Sequence, residues 1–144
     1  MTGRQLAWAG AWLLRAGTLS LLTMTWVNWS RALALGLRAA HLLWLAPAAL
    51  LLGWLKARLV MLPRMSANAR RLFSSRERLL PWQLYPPQLF AFILAMIALM
   101  AWLRHHYRLD MTVNAALGAV DLAVAAALFA SAGVYARVQR ERSP

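Results

Sequence analysis

The chain has 144 residues, 62% of them hydrophobic, with no cysteine and a formal net charge of +12. Soluble domains average about 45–50% apolar, so one small aqueous core does not account for the surplus. The missing thiol excludes a disulfide framework, a thiolate nucleophile, a thiolate-held Fe–S cluster and a cysteine zinc site.

In a soluble chain this charge would point to nucleic acid. Here the basic residues flank apolar runs, where anionic lipid headgroups would meet them, so nucleic acid is not an expected partner. The runs are near the ~20 residues that cross ~30 Å of hydrocarbon. The expected fold is all-α: a single transmembrane domain of four helices, over about residues 6–29, 32–55, 89–103 and 112–135, with a basic loop at 56–88.

The first run, Leu6 to Trp29, contains Arg15 near its middle, followed by Thr18, Thr23, Thr25 and Asn28. Arg15 breaks the apolar core that a signal peptide needs, and no small-residue cleavage site follows, so the segment is read as part of the mature chain. It either crosses the bilayer or lays Leu6 to Leu14 in the interface, with Trp8 and Trp12 at headgroup depth. Crossing is favoured, because Ala16 to Trp29 alone is too short to span.

The second run, Ala32 to Leu55, holds Arg38 and His41 in its first half and Pro47 further on, where a kink is expected. The basic stretch follows, with Lys56, Arg58, Arg64, Arg70, Arg71, Arg76 and Arg78 against the single acid Glu77. The second helix is allowed to continue a little past Lys56, with Pro63 and the Ser74–Ser75 pair breaking the stretch and a short surface helix near Arg70 and Arg71. Trp82, Tyr85, Pro86 and Pro87 read as re-entry, the prolines suiting a helix start. The third run closes at Trp102 and the polar string from Arg104 to Asp110, and the fourth ends near Tyr135.

Membrane proteins keep Lys and Arg mostly on the cytoplasmic side. With both termini inside, that side holds Arg4, the seven cations of the basic stretch, Arg137, Arg140 and Arg142; the other holds only Arg31, Arg38, Arg104 and Arg108. The orientation follows. The seven loop cations, Lys56 to Arg78, are expected at anionic headgroups.

Two constellations stand out. Ala115, Ala119, Ala123, Ala127 and Ser131 recur every four residues and make a small-residue packing face. Packing within the chain is the simplest use of it; docking a partner is the sharper one. Asp121 is a carboxylate within a span and needs a partner. Asp121 and His41 each lie nine residues from the outer ends of their spans, Arg15 reaches a similar depth, and Arg38 is one turn above His41. The four are expected to form an intramembrane polar cluster. A static pair that fixes helix register is the first reading, a proton or ion relay the second, and a haem or chlorophyll-type ring on His41 the third. His106 and Asp110 share a helical spacing that would suit a metal, but a polar helix stop explains them as well. No enzyme motif is present, and neither a metal nor a cofactor is expected.

From Arg38 onward the chain resembles a group of short, uncharacterised bacterial inner-membrane proteins. The likeness rests on His41 and Gly53, the string from Gly53 to Val60, Arg64, Arg70 and Arg71, the Trp82, Tyr85, Pro86 and Pro87 re-entry, and Ser131 with Tyr135, over about two-thirds of the chain. It implies a multi-pass location in a bacterial inner membrane. The expected role is a non-catalytic accessory or scaffold subunit of a larger membrane complex, or a homo-oligomer. The alternatives are a small transporter or proton-conducting subunit using Asp121 and His41, and a cofactor-binding subunit using His41.

Overall fold

The computed structural model describes residues 3–74 and 87–141, and every element in them is helical. Helix α1 spans Gly3–Ala34, α2 Ala39–Lys56, α3 Leu62–Ser74, α4 Pro87–His106 and α5 Met111–Glu141, with a π-turn at Ala57–Met61 joining α2 to α3.

The first boundary lies later than expected. Residues 32 to 34 belong to α1, and Arg38 is the extended residue that caps α2. The stop is set by Gly36, whose φ of 104° is open to glycine and strained for other residues. Around it, the Leu37 N–H donates to Ala32 O and the Gly36 N–H to Leu33 O, each at 3.0 Å. This paired closure satisfies carbonyls that the helix end would leave bare.

The described part of the basic stretch is not a loop. Helix continues from Ala39 through Ser74. Pro63 was expected to break it, since proline lacks an N–H and crowds the carbonyl one turn back. The π-turn just before it takes up this conflict: the Leu62 N–H donates to Ala57 O, five residues back, which widens the helix ahead of the ring. Arg76, Arg78, Trp82, Tyr85 and Pro86 lie outside the described residues.

Helix α4 starts at Pro87, where a missing N–H costs nothing. Asp110 opens α5, its Oδ1 accepting from the Val113 N–H at 2.9 Å.

Helix α5 is the axis. Helix α1 packs antiparallel along it: Gly17 sits beside Leu128, and Trp29 reaches Ala115. The α2–α3 rod runs parallel to α5, with Gly53 against the Ala123 backbone. At the far end Met65 and Ala69 of α3 join Leu6, Ala7 and Leu14 of α1 and Ala132, Val134 and Val138 of α5 in one buried cluster. Helix α4 touches the others chiefly through α5.

The interior is mostly apolar, but much apolar surface is left uncovered and several polar groups are buried. Leu43, Trp44, Leu51, Leu52, Trp54, Leu94, Ile97 and Leu99 are exposed, whereas Thr18, Thr25, Asn28, Asn114, Asp121 and Ser131 are buried. Among the described residues, two stretches are long and apolar enough to cross a membrane, Ala39–Arg71 and Met111–Val134.

Candidate functional site

The buried polar groups of α1, α4 and α5 converge on Asp121. Its side chain is only 2% exposed. Arg104 Nη2 donates to both carboxylate oxygens, at 2.8 Å to Oδ1 and 2.6 Å to Oδ2. Asn28 Nδ2 donates to Oδ2 at 2.9 Å. Helical side chains lean toward the N-terminal end of their own helix. Across the α4–α5 turn Arg104 therefore leans away from the turn and Asp121 toward it, so two residues at different heights meet.

Further polar contacts surround the pair. Thr25 Oγ1 shares its one proton between Leu21 O at 2.9 Å within α1 and Gly118 O at 3.3 Å across to α5. Trp29 Nε1 donates to Ala115 O at 3.1 Å. Nearer the turn, Asn114 Nδ2 donates to the carbonyls of Tyr107, Arg108 and Asp110 and ties the connection to α5. Among the described residues, Asn28 Oδ1, Arg104 Nε and Asn114 Oδ1 are buried without a hydrogen-bond partner.

The structure gives Asp121 different partners from those expected. It does not bring Arg15, Arg38 or His41 to the carboxylate. All three are exposed. Arg15 lies over the Trp12 ring, 5.4 Å from its centroid. His41 Nδ1 lies 3.3 Å from Arg38 O in the first turn of α2. Matching depth along a helix was the basis for grouping these four, and depth does not determine which way a side chain points.

Asn28 and Arg104 are the participants that sequence reasoning missed. A signal for Asn28 was present: Ala7, Leu14, Thr18, Thr25, Asn28 and Ala32, all buried, follow one another at spacings of seven, four, seven, three and four. That is a single stripe of a helix. Arg104 sits in the last turn of α4 and had been read only as a polar stop.

The small-residue face packs inside the chain. Ala115, Ala127 and Ser131 are buried, and Ala119 and Ala123 are half-buried. The Ala123 backbone receives Gly53 of α2, and Ser131 Oγ closes on Ala127 O at 2.7 Å. Of the basic stretch, Lys56, Arg58, Arg64, Arg70 and Arg71 are exposed, and Arg58 stacks over Trp54 with 5.2 Å to the ring centroid. His106 Nδ1 lies 3.1 Å from Trp102 O, while Asp110 serves as the cap of α5, so the two do not form a paired site.

No protein-family model matches this chain, and comparison with curated proteins and with solved structures finds no match.

Proposed function

We propose that the chain is a multi-pass protein of a bacterial inner membrane, with four crossing helices and both termini on the cytoplasmic side. Its role is that of a non-catalytic accessory or scaffold subunit of a larger membrane assembly. The observation that carries the reading is the extent of uncovered apolar surface. Only 17% of the apolar window in Ala39–Arg71 is buried inside the protein. A core helix of a soluble domain would be mostly covered, whereas a bilayer supplies the missing apolar environment. Trp44 is 83% exposed, which water would penalise and lipid would not.

Helices α1 and α4 are not among the stretches that qualify by length and composition. Their crossing is supported by their contacts. Helix α1 lies along α5, and its polar stripe is turned inward against that helix. Helix α4 presents Leu94, Ile97 and Leu99 outward and is tied at Arg104 to the carboxylate of α5. Arg15, once the difficulty for α1, leans toward the N-terminal end, where Trp12 meets it, and so reaches the inner headgroups by snorkelling.

The geometry at Asp121 favours a fixed joint over a relay. The carboxylate already holds a guanidinium and an amide, and both partners come from neighbouring helices. Such a group sets helix register, the best-attested use of a buried ion pair.

Alkaline carbonate extraction tests location: the chain should stay in the membrane pellet, and release into the aqueous fraction would reject the reading. Purification from membranes in mild detergent tests the accessory role. A larger partner should follow at fixed stoichiometry, and a monomer that never acquires one would count against it.

A further inference from the structure

Helix α4 ends on two adjacent imidazoles, His105 and His106, and both are exposed. Neighbouring residues of a regular helix point about 100° apart. At this helix end the two rings nevertheless meet, edge to face at 75°, with their centroids 5.4 Å apart. The close neighbour of His106 is therefore His105 and not Asp110, which caps α5.

The His106 ring is held from one side. Its Nδ1 lies 3.1 Å from Trp102 O. A carbonyl oxygen only accepts, so Nδ1 carries the proton and donates it, and Nε2 keeps the lone pair. The same ring stacks on Trp102, with 4.6 Å between centroids and 33° between planes. An imidazole that gives one N–H to a backbone carbonyl has its other nitrogen fixed in tautomer and direction, as metal-ligating histidines do.

The spacing suits a shared ion. Two imidazoles on one metal, each nitrogen at ~2.0–2.1 Å, have centroids roughly 4.5–6.5 Å apart, and the observed separation falls in that range. The surroundings suit a cation as well. The last carbonyls of a helix carry partial negative charge. Arg104 is paired with Asp121, and the exposed carboxylate of Asp110 stands in the same turn as Arg108.

The geometry points to a two-imidazole site for a divalent copper ion at the end of α4, with His105 and His106 as its ligands. Copper(II) heads the first-row divalent ions in affinity and takes imidazole readily. Magnesium and calcium prefer oxygen. Among the described residues no third His, Asp or Glu joins the pair, so water completes the coordination and the ion exchanges freely. The inference does not depend on the membrane reading. Within that reading, the ion is taken up at the outer face.

The test uses the full chain without a polyhistidine tag, in detergent micelles, with copper(II) as the probe. The chain has three histidines and no cysteine, so few groups compete. Electron spin-echo modulation of the bound copper should show two imidazoles. His105→Ala or His106→Ala should leave one and weaken binding at least about tenfold, since losing a group that only orients a ligand already costs about 10–100-fold. His41→Ala should change neither the spectrum nor the affinity. Zinc(II) should displace the copper, and an excess of magnesium(II) should not. One imidazole or none in the spectrum of the unaltered chain would mean an adventitious ion only and would overturn the inference. Equal affinity in the unaltered chain and both variants of the pair would overturn it too.

Discussion

Arg104 grips Asp121 through one nitrogen. Nη2 reaches both carboxylate oxygens, at 2.8 and 2.6 Å, and Nε is left without a partner. The pair is lopsided in exposure as well, with Arg104 at 22% and Asp121 at 2%. It joins α4 to α5, and through Asn28 the same carboxylate holds α1.

Breaking that pair from one side should be costly. Asp121→Ala leaves the guanidinium and the Asn28 amide without their acceptor, and Arg104→Ala strands a buried carboxylate. Losing one partner of a buried pair costs about 3–5 kcal/mol. Replacing both, as Arg104→Met with Asp121→Leu, should cost less than either single change. Reversible unfolding in mixed micelles measures this; singles milder than the double would contradict it.

Three glycines should rank in a definite order when changed to alanine. A Cβ at Gly53 would lie 2.9 Å from Ala123 Cα, and backbone cannot step aside cheaply. The α2–α5 contact should open, at a cost of about 1–3 kcal/mol. At Gly118 the new methyl overlaps Cδ1 and Nε1 of the Trp29 ring, a side chain that can turn aside only by giving up its bond to Ala115 O. At Gly133 nothing lies within 4 Å, so alanine should stabilise the helix by about 0.5–1 kcal/mol. Melting temperatures in one detergent should fall most for Gly53→Ala, less for Gly118→Ala, and rise for Gly133→Ala.

Gly36→Ala forces a β-carbon into a left-handed turn and should cost about 1–2 kcal/mol. Asparagine, which tolerates this conformation better, should recover part of the loss. The two variants can be compared in the same unfolding assay.

Orientation can be read directly because the chain has no native cysteine. Leu35→Cys and Leu109→Cys, in the two turns, should react with an impermeant maleimide on intact spheroplasts. Ala67→Cys should react only after permeabilisation. The reverse pattern would turn the molecule over.

Apolar run length was enough to recover the helical class and the approximate positions of α1, α2, α4 and α5, whereas α3 lies in the stretch read as a basic loop. What it lacks is azimuth. Asp121 was recognised as needing a partner, yet depth alone suggested His41, Arg15 and Arg38. The actual partners follow from which stripe of α1 faces α5, and that stripe is written in Thr18, Thr25 and Asn28. Local rules also misjudged two ends. Pro63 looked like a breaker because the rule assumes regular α geometry around it. The stop after α1 was placed near Trp29, five residues before the helix ends at Ala34, because Gly36 has no side chain to advertise its role.

The π-turn at Ala57–Met61 has a consequence for everything beyond it. Ala49, Gly53 and Ala57 all point inward. The Leu62 N–H passes over Arg58 O to reach Ala57 O, so this turn holds one residue more than an ordinary one. Beyond it Met65 and Ala69 still point inward. The rod thus stores one surplus residue as a clocking correction. Excising a single residue there, such as Leu59, should leave Met65 seated, whereas adding one to α3 before Met65 should swing guanidinium into the greasy seam.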